Sequence, residues 1–287
     1  MSGESLAGSR VLVTGASGFL GSYIMERLAG TGAEVIAVSR TIAETRRPGF
    51  VAVRCDLQDH ACITNLVTKM RPDFAFHLAG LVTTAPETRL ILPMLHANVV
   101  ATVNLLSALS ESGCRRVVQA GSTGEGMSSP YGVSKIAAGL YGTYFYQQTG
   151  LPIVQARLHF CYGPRQCTNK LIPSVILSSL AGIPQPLKAP GRVCDFIYAG
   201  DAADGLVAAL TTEDISGRTV DICTGQSIAI QHAVTAIQKM VDGGPAEFHF
   251  QPTAMEETVT AWAWTAGTRL PVGLAETISW YRENRQQ

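Results

Sequence analysis

Residues 10–21 read R-V-L-V-T-G-A-S-G-F-L-G. The apolar run Arg10–Thr14 has the length and composition of a buried strand. It feeds directly into Gly15-x-x-Gly18-x-x-Gly21, where helical spacing begins. Glycine at such a turn permits positive φ and a close backbone approach. A helix N-terminus presents free N–H groups and a positive dipole end, which suits a pyrophosphate. The plain alternative is a glycine-rich turn without a ligand. The strand before, the helix after and the position near residue 1 argue for the dinucleotide turn.

Outward from this turn, short apolar runs alternate with helical patterns. Strands are expected at Arg10–Thr14, Glu34–Ser39, Val51–Cys55, Phe74–Leu78, Arg116–Ala120, Ile153–Leu158 and Thr219–Cys223, with helices near 19–30, 59–70, 96–112 and 131–148. This rhythm predicts an α/β fold: a Rossmann-type doubly wound parallel sheet, with its strand C-terminal ends along one ligand-binding edge. From about 165, Pro164, Pro173, Pro184, Pro186 and Pro190 punctuate a looser region. The expected domains are 1–165 plus 196–225 for dinucleotide binding, and 166–195 plus 226–287 for a small C-terminal substrate lobe.

The chain has 287 residues, 46% hydrophobic, with a formal net charge of zero. The charge balance and the lack of a long basic run argue against a nucleic-acid partner. No apolar stretch is read as approaching the ~20 residues that span a bilayer. Met1 to Arg10 lacks the charged-then-apolar plan of a signal peptide. The seven scattered cysteines, without a Cys-x-x-Cys, are expected to be reduced thiols of a cytoplasmic protein. His96 and His159 have no partner at metal-ligand spacing, so no metal is expected.

At the end of the second strand stand Ser39 and Arg40. An acidic residue there would bond the ribose hydroxyls of NAD and repel a 2′-phosphate. A guanidinium suits a phosphate, so NADP(H) is expected over NAD(H). Asp56, before Leu57, could accept a bond from an adenine amino group or simply cap a helix. Leu78, Ala79 and Gly80 end the fourth strand, where small residues let backbone lie along a cofactor. His77 reads as a packed strand residue. Tyr131 and Lys135 form a Tyr-x-x-x-Lys, one turn apart on a helix face. An ammonium beside a phenol favours the phenolate, which suits proton transfer at a carbonyl or hydroxyl.

With these pieces the chain resembles the extended short-chain dehydrogenase/reductase family, the nucleotide-sugar epimerase/dehydratase/ketoreductase group. The matching segments are T-G-A-S-G-F-L-G (14–21), C-D-L (55–57), H-L-A-G (77–80), N-V-V-A-T-V-N-L-L (98–106), G-S-T-G-E (121–125), Y-G-V-S-K (131–135), R-L-H-F-C-Y-G-P-R (157–165), D-F-I-Y-A-G-D-A-A (195–203) and I-C-T-G-Q-S-I (222–228). They follow the family's order over most of the chain. The resemblance implies a nicotinamide cofactor and a sugar nucleotide between the lobes. It makes Tyr131 the acid/base and Lys135 its tuner and ribose contact. Thr123, or Ser122 in its place, would bond the reacting oxygen. Gly15, Ser17, Gly18, Phe19, Leu20, Arg40, Asp56, Leu57 and Ala79 would line the cofactor. It also implies a homodimer through helices 96–112 and 131–148.

Four departures from the family pattern matter. Thr123 and Tyr131 are only eight residues apart, shorter than usual. Gly126 directly follows Glu125, where the family usually has a tyrosine first. Phe160 stands where the family has an asparagine that helps hold the sugar nucleotide. Cys194 replaces the arginine expected before Asp195, so Arg165, Lys170 or Arg192 would hold the substrate pyrophosphate.

The short loop and Arg40 point first to NADPH-dependent reduction of a 4-keto-6-deoxy sugar nucleotide, with Tyr131 as proton donor. A 4,6-dehydratase with Glu125 as base is the alternative, and a 4-epimerase a further one. A non-catalytic NADP-binding sensor is a remote reading, because a sensor need not keep Tyr131, Lys135 and Thr123.

Overall fold

The computed structural model describes residues 5–183, 186–187, 189–256 and 258–284. Pro184 and the first four residues, both used in the sequence reading, lie outside them. The chain forms two compact units. The larger comprises Met1–Leu158, Leu206–Asp221 and Thr258–Trp262; the smaller comprises His159–Gly205, Ile222–Glu257 and Ala263–Gln287.

In the larger unit the strands are β1 (Arg10–Thr14), β2 (Glu34–Ser39), β3 (Thr45–Arg47), β4 (Phe50–Arg54), β5 (Phe74–His77), β6 (Arg116–Ser122) and β7 (Ile153–Leu158). The smaller unit holds β8 (Phe160–Tyr162) and β9 (Val193–Tyr198); β10 (Thr219–Ile222) returns to the large sheet, and β11 (Gln226–Ala229) and β12 (Gln251–Pro252) follow. The large sheet has eight strands in the order β10-β7-β6-β5-β1-β2-β4-β3. Strands β4, β2, β1, β5, β6 and β7 are parallel, and the short β3 is antiparallel to β4. The chain moves outward in both directions from β1 and β5, so the ends Thr14 and His77 flank the topological switch point where such sheets bind ligands. The continuous apolar runs of these strands fit a sheet covered on both faces. Leu12, Ile36, Ala75 and Val117 are buried with Ile63, Leu105 and Leu109.

Helices α1 (Phe19–Leu28) and α2 (His60–Met70) follow the expected pattern. Asp59 caps α2, its carboxylate accepting the Cys62 N–H at 3.0 Å. The helix expected at 96–112 instead starts with a 3-10 turn at Thr88–Leu90 and runs through α3 (Ile91–Met94), a π segment (Leu95–Val100) and α4 (Ala101–Ser110). Pro93 lies in the first turns, where its missing N–H has little to lose. Contrary to the sequence reading, this run of 23 residues is long and apolar enough to cross a membrane by length and composition. A core helix passes the same test, and Leu105, Leu106 and Leu109 are fully buried. Helix α5 (Pro130–Thr149) has Ser129 as its N-cap, Pro130 in its first turn and Gly150 in the left-handed region at its end. The cysteine expectation also changes. Cys55 and Cys62 form a disulfide pair with Cα atoms 6.2 Å apart, while Cys114, Cys161, Cys167, Cys194 and Cys223 form no disulfide among the described residues.

The smaller unit carries a four-stranded sheet in the order β12-β11-β9-β8. Helix α6 (Leu171–Leu180) belongs to this unit; α7 (Ala199–Thr211) leads the chain back to the larger one; α8 (Ile230–Val241) and α9 (Leu270–Glu283) complete the set. Tyr162, Ile176, Phe196, Ile237, Leu274 and Ile278 lie in the smaller unit's core. The sequence reading placed 196–225 with the sheet domain. Residues 196–205, with 159–165 and 222–225, instead belong to the smaller unit, because β9 pairs with β8 and β11, and 258–262 belong to the larger one.

Neighbouring strands β7 and β10 are joined by a buried ion pair. Arg157 donates from Nε to Asp221 Oδ1 at 2.6 Å and from Nη2 to Oδ2 at 3.0 Å. Removing one partner strands a buried charge, whereas an apolar pair of similar volume is far less costly. Asp221→Ala is expected to cost ~3–5 kcal/mol in urea unfolding. Arg157→Met combined with Asp221→Leu should cost much less; equal losses would contradict this account.

Candidate active site

The dinucleotide end is built by backbone proximity. Gly15 has φ +71°, and a Cβ there would lie 2.8 Å from the Ala79 nitrogen. A Cβ on Gly21 would lie 2.1 Å from the Gly15 carbonyl oxygen, so α1 begins hard against the turn. Gly18 donates to the Gly15 carbonyl at 2.9 Å and caps α1 without a side-chain hydrogen bond. The first N–H groups of a helix, here those of Phe19, Leu20 and Gly21, have no intrahelical acceptor. This open, side-chain-free cradle at a helix N-terminus fits the pyrophosphate of a dinucleotide.

Ser17 and Ser39 share a hydrogen bond at 2.9 Å, tying the turn to the end of β2, where Arg40 is exposed. Asp56 is exposed after β4 and its Oδ1 accepts the Gln58 N–H at 3.1 Å; Leu57 is buried. The helix-capping role considered for Asp56 falls to Asp59. Leu78 and Ala79 are half-buried and Gly80 is exposed beyond β5, with a Cβ on Gly80 3.0 Å from Asn98 Oδ1. The cofactor candidates therefore gather along one sheet edge.

The proton-transfer candidates sit at the end of β6 and the start of α5. Ser122 N–H donates to Glu125 Oε1 at 3.0 Å, and Glu125 N–H returns to the Ser122 carbonyl at 3.2 Å. Ser122 Oγ accepts the Gly124 N–H at 3.0 Å, and Thr123 N–H donates to the Leu158 carbonyl at 3.0 Å. Tyr131 packs against this turn: a Cβ on Gly124 would lie 3.3 Å from its ring. The short loop also crosses α5 closely, since a Cβ on Gly132 would lie 2.3 Å from the Gly126 carbonyl oxygen. Glycine at 124 and 132 is what lets seven residues, 123–129, join the two elements.

Lys135 Nζ donates to the Ala120 carbonyl. Burial pushes its ammonium down to about 8, opposed by the Glu125 charge, which raises it. A depressed but still cationic ammonium one turn from Tyr131 suits a phenol that must give and take a proton near neutral pH. Sequence reasoning missed Asn98, which is buried. It accepts the Leu81 N–H at 2.7 Å and donates to Ser134 Oγ at 2.8 Å. An Asn opening the apolar run 98–106 was the available signal.

In the smaller unit, Arg165 lies in the turn after β8 with φ +68° and is exposed. Lys170 caps α6, and the Arg192 guanidinium stacks on Phe160 at 5.0 Å. Phe160, which stands where the family has an asparagine, is therefore covered by one of the three cations offered in place of the arginine missing at Cys194.

A parallel sheet with a glycine turn at its switch point, and a Tyr-x-x-x-Lys helix beside the same edge, define a Rossmann-type enzyme of the extended short-chain dehydrogenase/reductase class. The chain belongs to the NAD dependent epimerase/dehydratase family, whose model matches residues 11–223. It is 28% identical to a dTDP-glucose 4,6-dehydratase of Actinoplanes sp., covering 96% of this chain and 98% of that one. It is equally 28% identical to a UDP-glucose 4-epimerase of Mycolicibacterium smegmatis, covering 96% and 100%. Among solved structures, it is similar to the Bordetella bronchiseptica enzyme WbmF in complex with NAD+ and UDP (TM-score 0.80, 26% identity, 98% and 94% covered). It is also similar to MoeE5 in complex with UDP-glucose and NAD (TM-score 0.82, 26% identity, 96% and 100% covered). These relatives back the dehydratase and epimerase alternatives better than ketoreduction, and they do not support a preference for NADP.

Two outcomes follow from this geometry. Gly21→Ala forces a side chain into backbone and should abolish NADH binding in a fluorescence titration. Gly18→Ala, with its nearest contact at 3.1 Å, should weaken binding less. Lys135 loses its charge as pH rises through about 8. Turnover should therefore fall on an alkaline limb near that pH, and Lys135→Arg, at a lower rate, should lack the limb.

Proposed function

We propose that the chain is an NAD-dependent nucleotide-sugar 4,6-dehydratase. The observation that carries this reading is Glu125, a carboxylate on the same turn as Ser122 and Thr123 and within electrostatic reach of Lys135. A bound nicotinamide supplies the acceptor and later donor of a hydride. Tyr131 takes the proton of the sugar C4 hydroxyl, its phenolate supported by the Lys135 ammonium. Thr123, with Ser122 beside it, holds the C4 oxygen. Glu125 removes the C5 proton, made acidic by the neighbouring C4 carbonyl, and passes it to the departing C6 hydroxyl as water. When hydride returns to C6, C5 regains a proton through Glu125 from solvent, and Tyr131 releases to solvent the proton it took. One carboxylate serves both steps, because position 124 is glycine.

Gly15, Ser17, Gly18, Phe19, Leu20, Gly21, Ser39, Asp56, Leu57, Leu78, Ala79 and Gly80 line the dinucleotide in this reading. Arg165, Lys170 and Arg192 are the cations offered to the substrate pyrophosphate. NAD is assigned by the cofactors present in the similar solved structures, and Arg40 serves as a surface charge. The second reading is a 4-epimerase. Gly124 favours it, since that position supplies no second acid for a dehydratase pair and a Cβ there would crowd the Tyr131 ring at 3.3 Å. A homodimer is part of the proposal. Leu92, Leu140 and Tyr144 are exposed on α3 and α5, which pack together, and their 64%, 66% and 57% exposure leaves an apolar face for a second copy.

Incubation with NAD and dTDP-glucose or UDP-glucose is expected to yield a 4-keto-6-deoxy sugar, read by its alkaline chromophore. Glu125→Gln should keep cofactor reduction at 340 nm and lose the 6-deoxy product. Formation of the galactose epimer by wild type would move the assignment to the epimerase. Consumption of NADPH by a 4-keto sugar would restore the reductase reading. Leu140→Glu should convert a dimer to a monomer in sedimentation; an unchanged dimer would place the interface elsewhere.

A further inference from the structure

We propose that His77 is a positioning residue, coupling the dinucleotide turn to the helix that carries Tyr131 through a directional chain of buried hydrogen bonds. The proposal rests on the reading of Gly15–Gly21 as a cofactor turn and of Tyr131 as the acid/base, and adds what holds the two in register.

His77 is buried at the end of β5, and its two ring nitrogens meet hydroxyls from different elements. Nδ1 lies 2.9 Å from Thr14 Oγ1, at the end of β1. Nε2 lies 2.8 Å from Thr102 Oγ1, on α4. The network selects the tautomer. Thr102 donates its hydroxyl proton to the Asn98 carbonyl at 2.6 Å, so it can only accept from His77, and Nε2 carries the proton. Nδ1 is then an acceptor, and Thr14 donates to it while its oxygen accepts the Ala79 N–H at 3.3 Å. The direction of donation runs without a break from Ala79 N–H through Thr14, His77 and Thr102 to Asn98.

Both ends of the chain are site groups. Ala79 abuts Gly15 in the glycine turn. Asn98, inside the π segment, donates to Ser134 Oγ, and Ser134 donates to the Tyr131 carbonyl at 2.8 Å. A buried histidine bonded only within its own strand would be ordinary packing; this one bridges β1, β5 and α4. Burial and the Lys135 charge push its pKa down to about 3, so the neutral tautomer persists across the working pH range. A π segment at a functional site is a recurrent device, and here it lies where the Asn98 carbonyl and side chain serve the two directions of the chain.

The halves separate experimentally. Gln places its amide nitrogen near His Nε2 and keeps donation to Thr102, whereas Asn places its oxygen near Nδ1 and keeps acceptance from Thr14. His77→Gln and Thr14→Val should each raise the NADH dissociation constant about fivefold, the worth of one hydrogen bond. They should leave amide exchange in residues 129–136 unchanged. His77→Asn and Thr102→Val should keep NADH affinity within twofold and speed exchange in 129–136 about tenfold, with a matching fall in kcat. A shift in melting temperature alone, with affinity and exchange unmoved in all four variants, would overturn the proposal; so would identical behaviour of His77→Gln and His77→Asn. NADH titration and exchange need no sugar substrate. Wild-type protein inactive on sugar nucleotides but showing the split would sink the dehydratase reading and leave the role of His77 standing.

Discussion

The site depends on how closely backbone can approach backbone at the head of α1. At Gly21 a single carbon added to the chain would sit 2.1 Å from the Gly15 oxygen, and at Gly15 it would sit 2.8 Å from the nitrogen of Ala79. Those distances bring β1, β5 and α1 together at one point. The helix N-terminus can then aim its free N–H groups where no side chain intervenes. The catalytic turn uses the same constraint, since Gly124 admits the Tyr131 ring and Gly132 admits the Gly126 carbonyl. A protein built on such contacts cannot exchange these glycines for alanine, however conservative the change looks on a helix-propensity scale.

Much of this was legible in the sequence because each signal had a local cause. Arg10–Thr14, Glu34–Ser39 and Ile153–Leu158 were read to the residue, since buried parallel strands appear as short apolar runs between breakers. The edge strand Thr45–Arg47 was not read: it is exposed and polar, and only pairing with β4 makes it a strand. The start of the 88–110 helical run was hidden by Pro93, which reads as a stop but is harmless in a first turn. The Cys55–Cys62 pair was hidden because the β4–α2 turn brings together two residues with no motif between them. The division of the chain at 196–205 was obscured by non-local pairing of β9 with β8 and β11, which periodicity cannot report.

The site shows the same split. Tyr131, Lys135 and the glycines announce themselves by spacing and by the chemistry their residue types permit. The residues that hold them do not. Thr14, His77, Thr102 and Asn98 are unremarkable polar residues in apolar runs until β1, β5 and α4 are placed side by side, when they meet one another. A buried polar group in a strand or core helix carries a cost unless it is paired. Four such residues in neighbouring elements therefore imply a network, although its direction follows only from the geometry.

In the proposed reaction, Glu125 and Gly124 decide how the shared first step is completed. Tyr131, Lys135 and Thr123 suffice to move a proton at C4, which every reaction of this group requires. Water loss needs a further carboxylate, and Glu125 is the acid on this turn. Its Oε1 accepts the Ser122 N–H at 3.0 Å, which fixes the carboxylate beside Ser122 and Thr123. The second oxygen remains to take the C5 proton. The residue beside it is glycine and offers no partner acid; a Cβ there would meet the Tyr131 ring at 3.3 Å. In the proposed dehydration, a proton taken from C5 would therefore travel on Glu125 itself to the C6 oxygen, with elimination on the one face of the sugar that Glu125 meets.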